Sequence, residues 1–265
     1  MRRLATICGA TLALTAAPAN TADPALAAPS RVVLALFAHP DDEVTVAPAL
    51  AAEARSGALV RIVYATSGDA GPGVSALAKG AELAHLREGE AACASATLGL
   101  PAPLLLRFGD GQLPGYARGA DSAGRDLAGE LKAAILAARP AVVITWGPDG
   151  GYGHADHRMV GALVTQIVQA MPATDRPRLI YGGFSAAAGP LPGGFGTWAQ
   201  TAPDLLDVSV PYTAADLAAA SKAAQCHASQ FDAKTRQMLA PMLDKLVWHG
   251  AVQFRSAFPA PAPGR

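Results

Sequence analysis

Several things are scarce in this chain. It has three cysteines in 265 residues and no Cys-x-x-Cys pair, so nothing supports a thiolate zinc site. It has no surplus of charge: 21 Lys and Arg face 21 Asp and Glu, and 19 face 20 once Arg2, Arg3 and Asp23 leave with the first 27 residues. Such a balance leaves no electrostatic footprint for nucleic acid or an anionic membrane. No internal repeat of solenoid period occurs, and the N-terminal apolar run, Leu4 to Ala17, is too short to span a bilayer comfortably. What remains is a chain 51% apolar and 16% charged, the profile of one globular domain with a substantial core.

The N-terminus has its own pattern. Met1-Arg2-Arg3 supplies a positive start to the apolar run, and small residues follow with Ala-x-Ala sites ending at Ala19 and Ala27. That is the order of a secretory signal peptide. Residues 1–27 are therefore read as a cleaved leader, 28–257 as one domain, and 258–265 as a Pro/Ala-rich disordered tail. The expected location is periplasmic or extracellular, with no stable membrane anchor. Cys8 leaves with the leader, and Ile7 before it is too bulky for a lipid-attachment site. Cys93 and Cys226 remain, either bridged or as small buried hydrophobes.

Residues 32–38 form a continuous apolar run ending at His39, as expected of a strand buried on both faces of a parallel sheet. Similar runs follow at 59–65, 103–108 and 141–147, and Ala/Leu/Glu-rich stretches of helical character lie between them at 44–56, 75–98 and 126–138. Strand alternating with helix means an α/β fold, Rossmann-like and doubly wound, with a mainly parallel sheet and helices on both faces. Beyond residue 172 the pattern loosens: a strand is expected at 178–185, a loop at 186–204, and helices at 213–230 and 233–248.

Two polar clusters interrupt this scaffold. His39-Pro40-Asp41-Asp42-Glu43 follows the first strand, and Gly151-Tyr152-Gly153-His154-Ala155-Asp156-His157-Arg158 follows the fourth. Alone, the first is what a helix N-terminus looks like, with Pro in the first turn and acids at the positive end of the dipole. In the second, His154 and His157 are three apart on a starting helix and share a face. With sheet order 3-2-1-4-5, strands 1 and 4 are neighbours and both clusters flank the switch-point crevice, where open α/β sheets bind ligands. Two imidazoles and a carboxylate make a catalytic zinc set with an open position, whereas calcium or magnesium wants mainly oxygen. A second aspartate beside the ligand one can take the proton of an activated water.

Ala-His-Pro-Asp-Asp-Glu after a buried strand, then His-x-Asp-His about 115 positions later, resembles the LmbE-like, or PIG-L, family of zinc deacetylases. Thr66-Ser67-Gly68-Asp69, Arg87-Glu88-Gly89-Glu90 and His227-Ala228-Ser229-Gln230 extend the likeness over roughly residues 31–232. Ala155 stands where Pro is commoner, and Asp69 where Glu is. The resemblance implies an LmbE-like fold and Zn2+ held by His39, Asp42 and His157. It implies Asp41 as general base, His154 as the group that stabilises the oxyanion and can protonate the leaving amine, and Asp156 as orienting or electrostatically tuning His154. Arg87 and Asp110 fall where family members can contact sugar hydroxyls. The implied activity is removal of an acetyl group from an N-acetylglucosamine-type sugar or glycoside. An amidase acting on a thiol conjugate or peptidoglycan fragment stays open on the same chemistry. So does a carbohydrate-binding protein that lost catalysis, although a pure binder needs no general base.

Expression in a secreting host tests the leader. The mature N-terminus is expected just after Ala19 or Ala27, and recovery only of intact chain from the cytosol would contradict it.

Overall fold

The computed structural model describes residues 31–116 and 127–258; the segment expected as a leader, 1–27, and residues 259–265 of the expected tail lie outside them. The elements run β1 (Val32–Phe37), α1 (Ala47–Arg55), β2 (Leu59–Thr66), α2 (Ala81–Thr97), β3 (Leu104–Phe108), a single turn α3 (Leu113–Tyr116), α4 (Leu127–Ala138) and β4 (Val142–Thr145). Then come a single turn α5 (Gly150–Gly153), α6 (Ala155–Gln169), β5 (Arg178–Gly182), the short strands β6 (Phe184–Ser185) and β7 (Gln200–Thr201), β8 (Val208–Pro211), α7 (Ala214–Cys226), α8 (Ala233–Leu243) and β9 (Ala251–Ser256).

Seven strands form one sheet in the order β3-β2-β1-β4-β5-β9-β8. The first five are parallel, and β9 and β8 extend them antiparallel. Side chains of β1 alternate between two cores: Val33, Ala35 and Phe37 enter one, Leu34 and Leu36 the other. The first core is closed by α1, α2, α7 and α8, the second by α4 and α6. A strand covered on both faces has no polar side to show, which is why β1 reads as an unbroken apolar run. The order in which strands are added reverses between β1 and β4, parallel neighbours that pair from Val33↔Val142 to Ala35↔Ile144. The polar clusters after these two strands therefore emerge side by side, as the expected order required.

The structure differs from expectation in particulars. Residues 75–80 are loop, and α2 begins only after Gly80, whose φ of 129° is outside the helical range. The stretch expected as one strand at 178–185 divides into β5 and β6, and the helix expected to reach residue 230 ends at Cys226. Phe258, expected to open the tail, is partly buried against the second core.

Cys93 on α2 and Cys226 at the end of α7 form a disulfide across 133 residues. It ties the helix carrying Arg87 and Glu90 to the turn that starts at His227. Among the described residues no helix is long and apolar enough to cross a membrane.

Candidate active site

Asp42 opens a short 3-10 turn, Asp42–Thr45, directly after β1. Its Oδ2 accepts three hydrogen bonds, from Ala38 N–H at 2.9 Å, His39 N–H at 3.0 Å and Trp146 Nε1–H at 2.9 Å. Its Oδ1 lies 3.1 Å from His157 Nε2 and 3.9 Å from His39 Nδ1. Those two ring nitrogens are 3.2 Å apart. Each histidine is held from behind by an acceptor on its other nitrogen. His39 Nε2 faces Asp110 Oδ1 at 3.0 Å and Asp156 Oδ2 at 3.2 Å, and His157 Nδ1 faces the Gly150 carbonyl at 3.1 Å. Acceptors there keep the protons on those outer nitrogens, so His39 Nδ1, His157 Nε2 and Asp42 Oδ1 present lone pairs to one point.

Three converging lone pairs repel unless something positive lies among them. Burial works against charge on His39, yet the carboxylates of Asp110, Asp156 and Asp42 outweigh it and raise its pKa well above the ordinary imidazole value. Burial likewise opposes charge on Asp42, and the two imidazoles beside it hold its pKa well below the usual carboxylate range. A cation at the convergence point removes the conflict. For ligand bonds of about 2.0–2.2 Å in a tetrahedral arrangement, donor atoms sit roughly 3.3 Å apart, close to two of the three separations seen. Ligand-type atoms of His39, His154 and His157, and of His39, Asp110 and Asp156, also lie within 4.8 Å of one another. In those sets, however, His154 Nδ1 and both Asp156 oxygens already accept backbone N–H groups. His39 Nδ1, Asp42 Oδ1 and His157 Nε2 converge with open lone pairs, so these three residues fit a metal at that point.

Asp41 lies beside this set with its side chain 20% exposed. Its φ of 106° is in the left-handed region, costly for a residue with a Cβ by about 1–3 kcal/mol. Neighbours hold it there. Its N–H donates to Glu43 Oε2 at 3.1 Å, and Arg87 donates to Pro40 O at 2.6 Å and to Asp41 Oδ1 at 3.3 Å. Burial is the main cause that pushes the Asp41 pKa up to about 6, aided by the Asp42 and Glu43 charges and opposed by Arg87. A carboxylate so poised is suited to receive a proton near neutral pH.

His154 caps α6: its Nδ1 accepts the Asp156 N–H at 3.2 Å. The neutral ring then carries its proton on Nε2, the atom left to meet a ligand. Burial, followed by the neighbouring His39 and His157, lowers its pKa and favours this neutral donor form. Asp156 reaches His154 through that backbone N–H and through its charge. Its carboxylate instead meets His39 Nε2, Gly111 N–H and Leu113 N–H, so the side chain orients His39.

Arg87 and Asp110 are buried in the cavity wall. Arg87 donates to the Gly68, Gly71 and Pro40 carbonyls, and Asp110 accepts from Ala70 N–H and His39. A substrate hydroxyl would have to share these groups. Glu43 is fully buried and accepts from Tyr64 Oη–H at 2.6 Å and His227 Nε2 at 2.5 Å, which removes it as a competing base. Ser229 completes this inner frame by donating from both N–H and Oγ to Glu90.

Sequence reasoning missed the aromatic part. Trp146 stacks on His157 with centroids 4.3 Å apart and planes 2° from parallel. Trp146, Tyr152, Phe195, Trp198 and Phe231 line the same cavity, of about 540 Å³, as His39, Asp41 and His154. Trp146 was hidden by its position at the end of an apolar run, and the others by loops without periodicity. Gly161 on α6 allows the helix to sit against β4's exit, since a Cβ there would lie 2.3 Å from the Trp146 carbonyl oxygen.

A family model described as "PIG-L: GlcNAc-PI de-N-acetylase" matches residues 34–168. A 1D-myo-inositol 2-acetamido-2-deoxy-alpha-D-glucopyranoside deacetylase of Rhodococcus jostii is 36% identical over 164 residues, covering 56% of this chain and 56% of that protein. The chain thus spans about half the length of that relative. One of the same description from Nakamurella multipartita is 34% identical, covering 71% and 75%. Among solved structures, N,N'-diacetylchitobiose deacetylase from Pyrococcus horikoshii superposes with TM-score 0.64 at 20% identity, over 85% of this chain and 83% of that one. A 4-carboxy-2-hydroxymuconate hydratase from Pseudomonas putida gives 0.61 at 15%, over 89% and 99%. These two show a shared fold, and the second shows that the fold hosts more than one reaction.

The indole N–H to Asp42 should matter to metal affinity. With zinc as the probe in competition with a chelator, His157→Ala is expected to lose stoichiometric binding, and Trp146→Phe to weaken it by about 10- to 100-fold. Wild-type affinity in His157→Ala would contradict the proposed donor set, and in Trp146→Phe it would contradict the role given to the indole N–H.

Proposed function

The chain belongs to the PIG-L family, and on that premise we propose that it is an exported, zinc-dependent hydrolase that removes the acetyl group from an N-acetylated amino sugar or its glycoside. The observation that carries this reading is the placement of Asp41. It is a non-ligand carboxylate, raised toward neutrality, held on the cavity wall beside two imidazoles and a carboxylate with free lone pairs. His39 Nδ1, Asp42 Oδ1 and His157 Nε2 would hold zinc, whose borderline-soft character suits two nitrogens and one oxygen. When bound, zinc supplies Lewis acidity toward the acetamide oxygen and lowers the pKa of water at the site.

The chain's own groups supply the rest. Asp41 accepts the proton of the attacking water. His154 Nε2–H donates to the carbonyl oxygen as negative charge gathers there, and its cap on α6 fixes the direction of that N–H. The departing amine needs a proton, which Asp41 holds after the first step and returns. Arg87 keeps Asp41 in place and, by its charge, prevents its pKa from rising further. An acetamido sugar as substrate is supported by the relatives' printed activities. Export is supported by the order of the N-terminal segments and by a disulfide, a bond that persists mainly in oxidising compartments.

Mass spectrometry of products from a panel of N-acetylated sugars, oligosaccharides and thiol conjugates tests reaction and substrate together. Loss of acetyl mass from the sugars supports the proposal, and turnover of none of them contradicts it. Asp41→Asn is expected to keep the metal yet lose about 10²- to 10⁴-fold in rate. A metal-replete Asp41→Asn enzyme working at the wild-type rate would mean that Asp41 is not the base.

A further inference from the structure

The cavity has two walls of different character. Its polar wall, with His39, Asp41, Asp110 and His154, comes from the stretch matched by the family model. The cavity's aromatic part continues from Trp146 and Tyr152 to Phe195, Trp198 and Phe231, the last three all beyond that stretch. The chain has three tryptophans, and two of them line this one cavity. Aromatic rings ordinarily serve the core, as Trp248 does here. Phe195 and Trp198 instead stay half-buried at the cavity.

They are also fixed. Phe184, itself buried, stacks on Trp198 with centroids 5.0 Å apart and planes 19° from parallel, and Phe195 lies 5.3 Å from Trp198. The Ala199 N–H donates to Gly151 O at 2.7 Å, which ties the loop to the segment carrying His154 and His157. Gly151 makes this approach possible: its φ is 71°, and a Cβ there would lie 3.0 Å from the Trp198 ring and 3.1 Å from that of Trp146. A rigid aromatic plane is thus held within one cavity with the proposed base and oxyanion donor. Pre-organised rings bind flat apolar faces at little entropic cost.

We propose that Trp198 and Phe195 form a stacking subsite for the ring joined to the acetamido sugar, so that the chain selects glycosides of at least two rings over the free monosaccharide. The polar wall takes the N-acetyl group, and the aromatic wall takes the apolar C–H face of the neighbouring pyranose. The proposal rests on the deacetylase reading, but its binding half can be tested without turnover.

Two measurements test it, with N-acetylglucosamine and its β-1,4-linked dimer as probes. In the Asp41→Asn protein, tryptophan fluorescence should report tighter binding of the dimer than of the monomer, and adding Trp198→Ala should erase that preference. In the active enzyme, the ratio of kcat/KM for dimer over monomer should fall by about 3- to 10-fold in Trp198→Ala, the scale of one aromatic stacking contact. Trp198→Phe, which keeps a ring in place, should retain most of the ratio and guards against misfolding as the cause. Equal binding of the two sugars by the parent, or an unchanged ratio in Trp198→Ala, would overturn the subsite. A Trp198-dependent preference for the dimer with no acetate released would leave the subsite standing and sink the deacetylase reading alone.

Discussion

Asp42 divides its carboxylate between two tasks, and the rest of the site follows from that division. One oxygen is filled by N–H donors from the end of β1 and from Trp146 just past β4. The other is thereby aimed at His39 and His157. The arrangement needs β1 and β4 as neighbours with their C-terminal ends level, which the doubly wound order provides. It also needs α6 close enough for His157 to reach across, which Gly161 allows. Sheet order, helix packing and side-chain hydrogen bonding thus meet at one carboxylate.

Around it lies a frame of buried polar groups. Arg87 holds carbonyls from two loops, Glu43 joins Tyr64 and His227, and Ser229 joins Glu90. Each link runs between elements distant in sequence, and together they hold Asp41 in a backbone conformation it would not choose alone. Stacking of Trp146 on His157 adds an apolar cover that limits water and strengthens electrostatic interactions beneath it.

The parts legible in the sequence were those with strong periodicity or a dense polar cluster. Apolar runs marked β1 to β4, and His39, Asp42 and His157 stood out because imidazoles and acids followed two of those runs. Less was legible where the physics is not local. β8 is a short edge strand and β9 lies between it and β5, so both are recognised only by their tertiary pairing. That Asp156 orients His39 through its carboxylate depends on Gly111 and Leu113, which no spacing rule connects to it. The aromatic wall comes from a Gly/Pro-rich segment whose composition reads simply as loop, and only the tertiary fold brings Trp198 to Gly151.

The most direct test is zinc K-edge X-ray absorption on the zinc-loaded chain, because it reads the donor atoms themselves. The account predicts a first shell of nitrogen and oxygen only, with the outer scattering of two imidazoles. A sulfur neighbour, or a shell without imidazole scattering, would contradict the convergence of His39, Asp42 and His157 on which every later step rests.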